Sequence, residues 1–288
     1  MGRKAGAKNS EPGRRQGDGA GMIDEKVEEF LKTVAAAPLS VLLLDYDGTL
    51  APFAVDRQEA VPYEGLENLL QQIADTGRTR LVIVTGRDAR EIPPLLRLQP
   101  SPEVWGAHGL QRLKTDGSCE MPEIPAGVVQ ALDDGKHWLV DLGLEEAAEM
   151  KPGSIAVHWR AVEDEEEASK LRGRVLLGWF PIAERASLRL LEFDGGAEMR
   201  MPDQDKGHAV QTVLKETEGA PIAYLGDDST DERAFQALDP VGLTVLVRPT
   251  QRRTCAQAWL KPPDELLEFL SRWLEATQKT PLGRSANL

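Results

Sequence analysis

Four short, nearly all-apolar runs punctuate the chain, at 41–44, 81–84, 221–225 and 243–247, the last interrupted by Thr244. An apolar run of this length, bounded by turn residues, reads as a strand buried on both faces, as in a parallel sheet. Helically spaced stretches alternate with these runs. Over 23–37, Val27, Phe30, Leu31 and Val34 fall on one face, and Pro38 ends the pattern. Pro62 opens a second helix through about residue 74, with Leu66, Leu69, Leu70 and Ile73 on one side and Gly77 closing it. A third begins near Asp88 and runs into Pro93 and Pro94, and a short strand follows at 104–107. Ala209, Val210, Val213 and Leu214 mark another helix, and the last amphipathic one covers about 264–274. Strand and helix in alternation predict an α/β fold, a doubly wound parallel sheet of the Rossmann-like kind.

The texture differs between about 111 and 191. Short alternating pieces at 154–160 and 187–191 suit strands with one wet face. Around them lie two helical stretches, at 125–142 and at 164–179, the second acidic at its start. This predicts a small α+β domain inserted into the core. The expected plan is a discontinuous core at 23–110 and 199–276, a cap at 111–198, a disordered tail at 1–22 and a loose tail at 277–288. The first 22 residues are rich in Gly, Lys, Arg and Ser and have no periodicity, which favours a solvated tail over a nucleic-acid arm.

Composition narrows the partners. A chain of 288 residues with 41% apolar content has enough material for a sizeable core. No apolar run reaches membrane-spanning length, and none follows the basic N-terminus to make a signal peptide. The two cysteines, Cys119 and Cys255, form neither a disulfide framework nor a metal motif. A cytoplasmic protein is the default, and a monomer the simpler state. The net charge of −13 argues against nucleic acid as a partner. An anionic substrate must then be drawn in by local cations or a metal, not by the overall field.

The polar residues at the strand ends carry the chemistry. The first run ends in Asp45-Tyr46-Asp47-Gly48-Thr49, the second in Thr85-Gly86-Arg87, and the third, at 221–225, in Gly226-Asp227-Asp228-Ser229-Thr230-Asp231. Taken alone, Asp45-x-Asp47-Gly also describes a strand-to-turn junction. A calcium loop does not fit, because the twelfth position from Asp45 is Asp56 and the middle is apolar. Thr85 is equally a helix cap and a phosphate donor, two readings that are compatible. His108 alone is more often structural, and Glu149 with Lys151 alone reads as an exposed charge pair. A doubly wound sheet brings such strand ends to one crevice. Clustered carboxylates need a cation, and hard oxygen donors with few His or Cys point to Mg²⁺. Lys206, at a helix start, would neutralise further negative charge.

The set Asp45-x-Asp47-Gly48-Thr49, Thr85-Gly86-Arg87, Lys206-Gly207 and Gly226-Asp227-Asp228-x-Thr230-Asp231 resembles, in order and spacing, the four motifs of the haloacid dehalogenase superfamily phosphatases. The insert resembles their C2-type cap. Within it, 106–109, Glu149-Met150-Lys151, Val157-His158-Trp159-Arg160 and Glu198-Met199-Arg200 resemble the trehalose-6-phosphate phosphatases. Trp159 stands where Tyr is usual, and Met201-Pro202 where Arg-Pro is usual. The resemblance implies a Mg²⁺-dependent phosphatase acting on a phosphorylated disaccharide through an aspartyl-phosphate. It implies Asp45 as nucleophile, Asp47 as acid and base, and Thr85 and Lys206 on the phosphoryl oxygens. It places the metal on Asp45, the Asp47 carbonyl and Asp227, with Asp228 and Asp231 supporting from behind. Arg87, His108, Glu149, Lys151, Arg160 and Glu198 would bind substrate. Related specificities (sucrose 6-phosphate or mannosyl-3-phosphoglycerate) and a catalytically silent sugar-phosphate-binding domain are the alternatives.

Overall fold

The computed structural model describes residues 25–54, 60–159, 162, 164–193, 195–202 and 205–279. The expected tail at 1–22, nearly all of the C-terminal tail and Arg160 lie outside the described residues.

The chain enters through α1 (Glu25–Ala36) and then forms β1 (Ser40–Leu44), α2 (Leu66–Asp75) and β2 (Thr79–Val84). A 3₁₀ turn (Ala89–Glu91) and α3 (Ile92–Leu96) lead to β3 (Glu103–Gly106), β4 (Gln111–Leu113) and β5 (Cys119–Glu120). Next come α4 (Ala126–Asp141), β6 (Ala148–Lys151), β7 (Ser154–His158), α5 (Glu165–Ala186), β8 (Arg189–Phe193) and β9 (Gly196–Arg200). The remainder is α6 (Lys206–Glu216), β10 (Ile222–Gly226), a 3₁₀ turn (Ser229–Asp231), α7 (Glu232–Leu238), β11 (Leu243–Val247), β12 (Ala258–Leu260) and α8 (Asp264–Gln278).

The strands form two sheets. The larger has the order β12-β11-β10-β1-β2-β3-β4-β5. It is parallel from β12 to β3, and β4 and β5 add antiparallel at one edge. All five residues of β1, β10 and β11 are buried, as their nearly all-apolar runs require. Alternate side chains of β1 enter different cores. Leu42 and Leu44 pack with α1, α2 and α8, while Val41 and Leu43 pack with α6 and α7. The sheet is therefore doubly wound, and β1 is its topological switch strand, flanked by β2 on one side and β10 on the other.

The smaller sheet is antiparallel, in the order β6-β7-β9-β8. Ile155, Val157, Ala197 and Met199 cluster against Val128, Leu132 and Leu139 of α4 and Val175 and Trp179 of α5. That face is dry, and the opposite face carries Glu149, Lys151 and Glu198.

Three sequence-based boundaries change. The cap does not begin at residue 111, because β4 and β5 pair onto β3 and belong to the large sheet. Their polar alternation is that of a sheet edge: Arg112 reaches Glu103 and Glu216. The small sheet also runs to Arg200, so the core does not resume at 199. Finally, α5 passes through Pro181 to Ala186 and α8 extends to Gln278, beyond the expected ends at 179 and 274–276.

Candidate active site

Asp45 leaves β1 at the carboxyl edge of the large sheet, and its N–H donates to the Leu225 carbonyl of β10 at 2.9 Å. That bond fixes the carboxylate beside the end of β10. Lys206, the first residue of α6, sends Nζ to Asp45 Oδ1 and to Asp231 Oδ1, each at 2.8 Å. Asp231 is fully engaged. Its Oδ1 also accepts from the Tyr224 hydroxyl at 2.6 Å, and its Oδ2 accepts the N–H groups of Asp227 and Asp228 at 3.0 Å. Gly48 is needed here, since it sits at φ +82° and a Cβ would lie 2.3 Å from Asp227 Oδ2.

Burial, with the neighbouring Asp231 charge, pushes the Asp45 carboxyl up to about 7 against the pull of Lys206. Burial and the Asp45 charge raise Asp227 well above the usual carboxylate range. Burial alone would favour a neutral Lys206, but Asp231 and Asp45 outweigh it and hold the ammonium form. Lys206 is thus a fixed cation. Both carboxylate oxygens of Asp227 are buried and lack a hydrogen-bond partner among the described residues. Oxygens of Asp45, Asp227 and Asp231 lie within 4.8 Å of one another. An unsatisfied buried carboxylate in an all-oxygen cluster fits a hard divalent cation. Asp231 has given both oxygens to other donors, so Asp45 and Asp227 are the carboxylates free to ligate.

Arg87, expected at the substrate, is 1% exposed, and its fork grips Asp47, Nε to Oδ2 at 2.8 Å and Nη2 to Oδ1 at 2.6 Å. It also covers the Tyr46 ring, 5.3 Å from the centroid. Its third nitrogen, Nη1, stands 3.6 Å from Glu91, so the guanidinium is shared between the two carboxylates. Thr85 is buried at the end of β2, and its Oγ1 accepts the Arg87 N–H at 3.1 Å, which leaves its own O–H available to donate.

His108 ties the core to the cap. Its N–H donates to the Thr85 carbonyl at 2.9 Å, and its ring lies so close to Gly86 that a Cβ there would meet Cε1 at 2.6 Å. From this position Nε2 stands 3.6 Å from Glu198 Oε2 of β9. Glu198 accepts from Ser154 Oγ at 2.8 Å and lies 3.6 Å from Arg200. On the neighbouring strands, Glu149 lies 3.3 Å from Lys151 and 3.1 Å from His158. The Glu149–Glu198 cluster and the Asp45–Asp227–Asp231 cluster therefore belong to different sheets, joined through His108.

The sequence profile of the family described as trehalose-phosphatase matches residues 43–259. That span contains both sheets almost entire. The chain belongs to the trehalose-phosphatase family. A trehalose-phosphate phosphatase of Mycobacterium marinum is 32% identical over 261 residues, 85% of this chain and 64% of that protein, so the chain spans under two thirds of that relative's length. The C-terminal domain of a C. albicans trehalose-6-phosphate phosphatase superposes with a TM-score of 0.71 at 19% identity, over 88% of this chain and 97% of that one. The C-terminal domain of a Candida albicans trehalose synthase regulatory protein gives 0.66 at 13% identity, over 85% and 97%. At such identities the superpositions show the fold alone.

Several residues of this trehalose-phosphatase family member escaped the sequence reading. Tyr224 is hidden in an apolar run, yet its hydroxyl is one of the donors that occupy Asp231. Ser154 and Arg200 hold Glu198. Arg252, in the segment between β11 and β12, reaches back to the Asp227 loop. Nothing local marks Tyr224, Ser154 or Arg252; Arg200 lies inside the Glu198-Met199-Arg200 segment but carried no expected role.

Proposed function

We propose that this chain is a Mg²⁺-dependent phosphatase that releases phosphate from trehalose 6-phosphate through an aspartyl-phosphate on Asp45. The observation that carries the reading is the Asp45–Lys206–Asp231 chain of 2.8 Å contacts beside the orphaned Asp227 carboxylate. Asp45, Asp227 and the Asp47 carbonyl would hold the cation, which when bound supplies neutralising charge to Asp45 and to the phosphoryl oxygens.

Asp45 Oδ bonds to phosphorus while the bond from phosphorus to the sugar oxygen breaks. Asp47, positioned by Arg87, takes up a proton from solvent in exchange for one of its two bonds to that fork and gives the proton to the sugar oxygen. It then takes one from the water that attacks phosphorus, and inorganic phosphate leaves with the Asp45 carboxylate restored. The permanent positive charge of Lys206 and the Thr85 hydroxyl face the phosphoryl oxygens, where negative charge builds in the transition state. Asp231 acts at one remove, orienting Lys206 and the Asp227 backbone, and Asp228 supports the same loop. The cap group of Glu149, Lys151, His158 and Glu198, with His108 beneath, is suited to the hydroxyl-rich disaccharide; Arg160 is assigned to it by resemblance alone.

The test is phosphate release from trehalose 6-phosphate with Mg²⁺, alongside sucrose 6-phosphate, mannosyl-3-phosphoglycerate and monosaccharide phosphates. Asp45→Ala is expected to lower kcat by about 10³-fold or more with the fold intact. Near-normal turnover by that variant would refute the nucleophile, and a preference for a monosaccharide phosphate would refute the substrate. Family likeness extends to a regulatory domain by fold, so absence of turnover on every substrate would favour the silent reading.

A further inference from the structure

The loop that carries Asp227 is gripped on both of its polar edges. On one edge the N–H groups of Asp227 and Asp228 converge on Asp231 Oδ2 at 3.0 Å. On the other, the carbonyls of the same two residues accept from a single guanidinium, with Arg252 Nε on Asp227 O at 3.2 Å and Nη2 on Asp228 O at 2.7 Å. Arg248 Nη1 approaches the Asp227 carbonyl as well, at 3.4 Å. Successive peptide units are thus held by a carboxylate from below and by a planar fork from beyond β11.

Arg252 is itself anchored. Its Nη1 donates to Glu232 Oε1 at 2.5 Å and to the Arg253 carbonyl at 2.9 Å. Glu232, the first residue of α7, further accepts from Thr254 Oγ1 and from the Cys255 N–H, each at 2.8 Å. Residues 252–255 and the start of α7 therefore form one hydrogen-bonded unit packed onto the Asp227 loop. The arginine is only partly exposed, with 23% of its side chain accessible.

The need for such a grip follows from the chemistry of Asp227. Its carboxylate is buried without a hydrogen bond among the described residues, and it faces the like charges of Asp45 and Asp231. Among the described residues no donor holds the side chain directly against that repulsion, so its position rests on its backbone. We propose that Arg252 is a positioning residue for divalent-cation binding, fixing the Asp227 backbone so that its carboxylate is preorganised for the cation. The inference rests on the reading of Asp45 and Asp227 as the cation site. A lysine would not substitute. Its ammonium is a single point of donors, whereas the guanidinium spans two carbonyls and Glu232 at once.

The experiment is calorimetric titration of the purified chain with MgCl₂, with no substrate present, for the unmodified protein, Arg252→Gln and Arg252→Lys. Far-UV circular dichroism and metal-free Tm serve as fold controls. Removing a supporting group behind a metal ligand weakens binding by about 10–100-fold. Arg252→Gln is expected to raise the Mg²⁺ Kd within that range, and Arg252→Lys to give an intermediate loss. At saturating Mg²⁺ the KM for substrate is expected to stay near that of the unmodified chain. If Arg252→Gln does not fold, Arg252→Lys decides the matter by the same comparison. Folded variants that bind Mg²⁺ as tightly as the unmodified chain would overturn the role of Arg252 while leaving the site intact. No Mg²⁺ binding by the unmodified chain would overturn the reading of the site itself, and the inference with it.

Discussion

Arg87 has lost nearly all contact with water and holds Asp47 through two parallel hydrogen bonds, while Glu91 sits 3.6 Å from its remaining nitrogen. A buried guanidinium of this kind is tolerated only when its donors are matched, and the carboxylate of Asp47 matches two of them. The consequence for activity is a separation of kcat from KM. Arg87→Lys keeps the charge but loses the fork, so Asp47, the proposed acid and base, loses the two hydrogen bonds that fix its position. Turnover is expected to fall by about tenfold or more while KM changes little. Steady-state kinetics at saturating Mg²⁺ checks this. A raised KM at unchanged kcat would return Arg87 to the substrate, where the sequence alone had placed it.

Among the elements, α4 and α5 approach closely because Gly178 has no side chain. A Cβ at that position would lie 2.0 Å from the Trp138 ring of α4. The ring cannot swing away freely, since its Nε1 donates to the Arg174 carbonyl at 3.2 Å. Gly178→Ala gains about 1 kcal/mol of helix propensity and loses about 1–3 kcal/mol to overpacking. The steric term is expected to win, lowering Tm by a few degrees in a thermal melt; a raised Tm would contradict the packing argument. This helix also shows where local rules fell short. The expected end was residue 179, yet α5 continues through Pro181 to Ala186 because Trp179 and Ala183 are buried in the cap core and hold the helix together past the proline. Short strands such as β6, β9 and β12 were invisible for a similar reason: three to five residues carry too little periodicity to outweigh their polar members.

At the scale of the whole molecule, the buried acid cluster links stability to pH and to metal. Asp45 and Asp227 have folded-state pKa values raised above those of the unfolded chain. Their protonated forms favour folding, a contribution fully present below about pH 4 and lost as pH rises through about 7 for Asp45. A divalent cation held by these carboxylates, as proposed, would relieve the repulsion that remains. The Tm gain on adding Mg²⁺ is therefore expected to be larger at pH 8 than at pH 5.5, and Asp227→Asn to remove most of the difference. Scanning fluorimetry with and without Mg²⁺ at both pH values checks this; an equal gain at the two pH values would count against cation binding at these carboxylates.

Much of this organisation was legible in the residues. The apolar runs at 41–44, 81–84, 221–225 and 243–247 specify strands buried on both faces, because no other short element hides every side chain. Alternation with helical periods then requires a doubly wound sheet, and a doubly wound sheet brings Asp45, Thr85 and Asp227 to one edge. The sequence by itself thus determined the strands, the winding and the polar cargo at the strand ends. Tertiary structure decided which charges touch. It gave Arg87 to Asp47, both oxygens of Asp231 to four donors, Arg252 to the Asp227 loop, and His108 to both the Thr85 motif and Glu198 of the cap. These pairings join residues up to ninety positions apart, as His108 and Glu198 are. Periodicity records only which face a residue occupies relative to its near neighbours, whereas hydrogen-bond partners across elements are set by how the two sheets and their helices pack.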